Sequence, residues 1–176
     1  MLFPVIDGCL ALQQEHTIAA DRIHEIIVTG NPLLRQRTDR PSVTTGREAQ
    51  VSAQHSAAVA LLYGRAGVAE FTDAVVHNPQ VLALRGRVRV VEDAAIPVEA
   101  SEVMLCMVDG TELSKKVAHA RGSAQRQMTD AEIEAKFRSL AAHGCPSCDA
   151  GQLIDAVWAI DCTDDVGAIM TLTTPR

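Results

Sequence analysis

Apolar positions recur at helical spacing from the start of the chain. Val5, Ile6, Cys9, Leu10 and Leu12 fall three to four residues apart, as one face of a helix over residues 4–15 requires. After Asp21 the period shortens. Ile23, Ile26, Ile27 and Val28 are β-branched and stop at Gly30-Asn31-Pro32, which predicts a strand. Residues 31–47 are polar and broken by Pro32, Pro41 and Gly46, the pattern of a long covering loop. Thr45 and Glu48 have capping-box spacing, and an Ala-rich helix is predicted from Ala49 to Tyr63, stopping at Gly64, with Val51, Ala58, Leu61 and Leu62 on its buried face. Two short helices follow over 67–76 and 79–86, the second opening on Pro79.

The period then changes to two. Val88, Val90 and Val91 form one β-run, and Val103, Leu105 and Met107 a second. Asp109-Gly110 reads as a two-residue type I′ turn, and Leu113 to Val117 as the return strand. Thr129 and Glu132 form a second capping box, ahead of Ile133, Phe137 and Leu140 in a helix ending at Gly144. A further helix is expected over about 150–160, and Asp164-Asp165 is placed to start a terminal one, where negative charge suits the helix dipole. Segregated helices around three successive strands predict an α+β fold with a small antiparallel sheet packed against helices.

Composition narrows the partners. Of the 176 residues 47% are apolar, enough for a real core, but with three Phe, one Tyr and one Trp that core must be aliphatic. The net charge is −6, and the densest basic run, Arg85, Arg87 and Arg89, alternates like the polar side of a strand, so nucleic acid is not an expected partner. No stretch reaches the roughly 20 apolar residues that span a bilayer, and Met1–Leu12 makes a poor signal peptide because it lacks a basic leader and contains Asp7. Five cysteines, an odd number, point to a cytoplasmic chain with reduced thiols.

Several stretches, in order, carry a family resemblance: Ile6-Asp7-Gly8 with Leu10-Ala11-Leu12; Asp39-Arg40-Pro41; Glu48 to Ser52; Ala58 to Leu62 before Gly64; Phe71-Thr72-Asp73 and Asn78-Pro79; Val103 to Gly110; Gly122-Ser123; Met128-Thr129-Asp130 and Lys136-Phe137. Together they resemble the C-terminal small domain of the MmgE/PrpD family, which includes 2-methylcitrate dehydratase, cis-aconitate decarboxylase and iminodisuccinate epimerase. The resemblance implies cofactor-free, metal-free, cytosolic and usually homodimeric enzymes that remove a proton beside a carboxylate of a small di- or tricarboxylic acid. It also implies an active site in the cleft between this domain and a large helical domain that supplies acid/base residues. The chain departs from the pattern in places. A Lys and His motif that normally precedes the stretch matching Ile6-Asp7 is replaced by Met1 to Pro4, Gln127 stands where Pro is common, and His55 stands where many members carry Tyr, although a subgroup has His.

His55 is therefore the first catalytic candidate: its imidazole titrates near neutrality, and Ser52 and Ser56 flank it at helical spacing. Ser52, Gly122, Ser123 and Arg126 are the substrate-binding candidates. A glycine loop between a strand and a capped helix offers backbone N–H groups, and Arg126 a guanidinium, to a substrate carboxylate. Against these stand an ordinary helix-surface histidine and a plain connector. Cys145-Pro146-Ser147-Cys148 can be read as a redox pair, as half of a metal site with His143, or as two cysteines flanking a turn. The last is adopted, because no second ligand pair and no βαβ context exist. His16, His24, His77 and His119 are scattered and read as surface residues.

The reading is of one domain over 1–176. Its core is 18–145, and helical segments 1–17 and 146–176 would dock on a helical domain not contained in these residues. The expected function is a dehydratase, decarboxylase or epimerase acting on a small di- or tricarboxylate, inactive without that helical partner. The alternative is a non-catalytic remnant, or a binding or oligomerisation module of the same fold.

Overall fold

The computed structural model describes residues 1–174, which divide into two compact units, 1–127 and 128–174. In the first unit α1 (Leu2–His16) leads to β1 (Ile23–Gly30), then α2 (Pro32–Thr38), α3 (Gly46–Ala49), α4 (Ala53–Tyr63), α5 (Asp73–Val76), α6 (Pro79–Arg85), β2 (Val88–Glu92), β3 (Ser101–Met107) and β4 (Glu112–Val117). The class is α+β: an open four-stranded sheet packed on helices.

The sheet order is β2-β1-β3-β4. β1 pairs antiparallel with β3 and β3 with β4, while β1 pairs parallel with β2, so the sheet is mixed rather than wholly antiparallel. The reason lies in the connection. Residues 31–87 contain five α-helices, long enough to carry the chain over and lay β2 alongside β1 in the same direction. In β1 a register shift between Ile23 and Glu25 resets the alternation, so Ile23, Ile26 and Val28 are all buried.

α4 differs from the expected one-sided helix. Every residue from Ala53 to Leu61 is buried, polar ones included, while Val51 is exposed. A helix without an apolar stripe is one enclosed on all sides, and its alanines let neighbours approach closely. α1 lies against it and buries Val5, Cys9 and Leu12 within the same unit. Gly8 sets the approach of α1 to the sheet, because a Cβ there would stand 3.0 Å from Val103 Cγ2. The resulting core is aliphatic, with Leu12, Ile23, Ile26, Leu61 and Leu105 fully enclosed.

Four local readings change. The expected loop 31–47 contains α2, capped by the Asn31 side chain with Pro32 in the first turn, and α3, capped by Thr45. The predicted helix 49–63 is split, and α4 has its own cap in Ser52. In the β3–β4 connection, residues 108–111, only Gly110, at φ 85°, lies in the left-handed region, and Met107 N–H bonds the Thr111 carbonyl. Of the arginine run only Arg89 lies within β2. Arg85 ends α6 and is buried, and Arg87 donates to the Ile23 carbonyl.

The second unit holds α7 (Asp130–Gly144), α8 (Ala150–Trp158) and α9 (Val166–Leu172). The Thr129/Glu132 capping box forms as the spacing predicts, and Asp165 caps α9. Burial is slight: α7 buries nothing, and Leu153, Ile154 and Ile169 are the buried residues of the other two helices. Among the described residues no helix is long and apolar enough to cross a membrane.

Candidate functional site

Two of the predicted positions lie at the start of α4. Ser52 Oγ accepts from the His55 backbone N–H at 3.1 Å and donates to the Arg40 carbonyl at 2.7 Å, so it caps the helix and ties down the preceding segment. Gln54 completes that tie: its Nε2 donates to Asp39 and its Oε1 accepts from the Arg40 N–H at 3.0 Å. Ser52 thus serves the His55 backbone rather than the ring, and Ser56 Oγ is buried without a hydrogen-bond partner.

The His55 side chain is fully buried. Its Nε2 lies 2.9 Å from the Glu70 carbonyl, which can only accept, so Nε2 carries the proton and Nδ1 presents a bare lone pair. Nδ1 has no partner. The ring leans on Phe71 at 5.2 Å between centroids. Burial pushes the imidazole below its ordinary value of 6.5, and the nearby Arg85 guanidinium pushes it the same way. The ring is neutral at pH 7. Glu70 is itself held by Arg65, at 2.6 Å, and by the Gly67 N–H, at 2.8 Å, so the His55 contact lands on a fixed segment.

The other predicted residues form a separate group near α1. Gly122, at φ 88°, turns the chain after β4, and its N–H bonds the Arg126 carbonyl at 2.7 Å. The N–H groups of Ser123 and Arg126 are likewise given to carbonyls of the loop itself, so these three are not offered outward. Asp7 on α1 accepts from the Arg121 N–H at 2.6 Å and from Arg126 Nη1 at 3.3 Å. The Arg126 side chain is 53% exposed and that of Asp7 13%, so a mostly buried carboxylate anchors a cation that still faces solvent. Ser123 Oγ is buried and unpartnered. No hydrogen bond, ion pair or ring contact among the described residues joins His55 to Ser123 or Arg126.

Asp7 and Glu70 are the partners of the candidate residues that sequence reasoning missed. Asp7 was visible only as a charge interrupting an apolar helix, and Glu70 acts on His55 through its backbone. A shallow depression of about 460 Å³ beside β2 was also missed. Its two guanidiniums already face carboxylates, Arg35 with Asp39 and Glu92, and Arg89 with Glu25. Among the described residues no three His, Cys, Asp or Glu side chains gather as a metal site needs. Cys145 and Cys148, read as reduced, are joined by a disulfide.

No curated protein matches the chain. The model of the MmgE/PrpD C-terminal domain does, over residues 1–161, which takes in α1, the whole sheet, α4, the Gly122 loop, α7 and α8. With that match over most of its length, the chain belongs to the MmgE/PrpD family, as its C-terminal domain.

Proposed function

We propose that this domain forms one wall of the active site of a lyase or isomerase, a dehydratase, decarboxylase or epimerase, acting on small di- or tricarboxylic acids. The observation that carries the reading is the Gly122–Arg126 loop. There Arg126 is fixed by Asp7 yet half exposed, in the same loop as a buried serine hydroxyl that no described residue satisfies. A guanidinium is the side chain best matched to a carboxylate, because its fork gives two parallel charge-assisted hydrogen bonds. Proton removal beside a carboxylate builds negative charge on that carboxylate, and a held cation stabilises it most when the charge develops. Arg126 supplies that cation.

His55 enters this reading as a positioning residue. Buried and neutral, it holds the Glu70 segment through Nε2–H and keeps α4 in place. Proton transfer falls to a helical domain, in the same protein or another, as the family resemblance implies. The reading calls for no metal and no organic cofactor. A homodimer and a cytoplasmic location belong to the same proposal. A second reading, a non-catalytic binding or oligomerisation module, draws on the exposed apolar residues of the second unit, among them Val157, Trp158 and Met170. Light scattering on the chain and on its Trp158→Ser variant separates them, since the module reading requires self-association that is lost with that exposed residue, whereas the homodimer of the first reading does not.

The test is an NMR titration of the chain with citrate. The expected result is saturable shifts at Gly122, Ser123 and Arg126, lost in Arg126→Ala, with no turnover by the chain alone. Shifts absent from that loop, or unchanged in Arg126→Ala, would remove the carboxylate assignment.

A further inference from the structure

The proposed function leaves Cys145 and Cys148 unused. The disulfide between them spans Pro146 and Ser147 only, with the Cα atoms 5.5 Å apart. Stabilisation by a cross-link grows with the length of chain it encloses, so a ring this small is a weak staple. The backbone already holds the pair together, because Cys148 N–H donates to the Cys145 carbonyl at 3.0 Å. That turn keeps the two thiols adjacent whether or not they are bonded. Both residues are partly exposed and within reach of a dissolved thiol. The remaining cysteines are differently placed: burial pushes the Cys9 thiol up to about 12, burial also raises that of Cys106, and Cys162 stands alone on the surface.

The position of the pair gives its state a consequence. Cys145 ends α7, and Cys148 directly precedes Asp149, the cap of α8, so the bond lies across the joint of a helical hairpin. The two helices face each other over an apolar cleft of about 190 Å³ lined by Phe137, Leu153, Val157 and Trp158 among others. Trp158 Nε1 donates to Glu134 at 2.9 Å, the hydrogen bond that joins α8 to α7 beside that cleft. No α7 residue is buried, and on α8 Leu153 and Ile154 are the buried ones.

We propose that Cys145 and Cys148 are a reversible thiol–disulfide site, taking a small thiol of the glutathione class, whose state sets how firmly α7 and α8 are held. In reduction a glutathione thiolate attacks the Cys145 sulfur. A mixed disulfide forms, the Cys145–Cys148 bond breaks, and the Cys148 sulfur leaves as a thiolate beside the α8 N-terminus, where the helix dipole favours negative charge. A second glutathione thiolate attacks the glutathione sulfur of the mixed disulfide and releases the Cys145 thiolate. Two electrons pass to the protein, glutathione leaves as its disulfide, and the two protons lost by the glutathione thiols end on the protein thiols through solvent.

The full chain equilibrated across ratios of reduced to oxidised glutathione, quenched with a maleimide and weighed intact, tests this. Trp158, the chain's one Trp, reports the hairpin by its emission. The expected result is a two-thiol transition with the same midpoint from either direction, and a Trp158 emission shift that follows it. Cys148→Ser should lose both, and Cys162→Ser should keep both. A pair that stays bonded in excess reduced glutathione, or stays open in excess oxidised glutathione, would overturn the site. A thiol transition that leaves Trp158 emission unmoved would overturn its link to the helices.

Discussion

The two units of the chain use their apolar residues differently. In the first, Ile26, Leu12, Leu61 and Leu105 are wholly enclosed between strands and helices that lie far apart in sequence. In the second, Ile133, Leu140, Val157, Trp158 and Met170 stand 44% or more exposed. Similar apolar side chains thus stabilise one unit and leave the other with uncovered surface. Burial rather than composition decides this, because hydrophobic free energy scales with area removed from water. The candidate substrate loop and His55 both sit in the well-packed unit, as a site that must hold fixed geometry requires.

Truncating one side chain in each unit gives the largest contrast. Ile26→Ala should cost about 3 kcal/mol, since it removes a fully enclosed side chain and leaves a cavity, whereas Ile154→Ala should cost about 1 kcal/mol because its sparse surroundings can relax. Chemical denaturation of both variants checks this, and equal losses would break the distinction. The helix caps give a smaller one. Ser52→Ala removes both the α4 cap and a bond to the Arg40 carbonyl and should cost about 2 kcal/mol, while Thr129→Ala at the exposed α7 capping box should cost about 0.5 kcal/mol.

A pH series sharpens the account of His55. Its folded-state pKa is depressed by burial, so the unfolded chain takes up a proton near pH 6.5 while the folded chain does not. Stability from this group is therefore complete above pH 6.5 and is lost as pH falls below it. His55→Phe should flatten that part of the profile, and an unchanged acid limb would contradict the neutral, buried assignment. The smallest effect belongs to the surface pair Lys116–Glu102, whose lysine side chain is 80% exposed. Lys116→Ala should change stability by less than about 0.5 kcal/mol.

Much of this fold is legible locally. The Thr129/Glu132 box, the β-branched run of β1 and the start of α6 at Asn78-Pro79 all form where their residue types indicate. The Asn31-Pro32 pair carries the same capping signal as Asn78-Pro79, yet in a polar stretch it reads as a turn, so α2 goes unseen. Strand order is not legible, because β2 pairs with β1 across more than fifty intervening residues and no local pattern encodes that choice. The burial of His55 is hidden for a related reason. α4 has no apolar stripe to show which face is inward, and all its faces are. At the substrate loop, Gly122 announces a turn, but the Asp7 anchor lies 119 residues from Arg126 and only the folded chain brings them together.

Native-state hydrogen exchange, resolved by residue, tests most directly the claim that the site rests on the rigid unit. Amides of β1, β3 and α4 should exchange only through global opening, while those of α7 and α8 exchange through a local opening of lower free energy. Equal protection in α4 and α7 would contradict it.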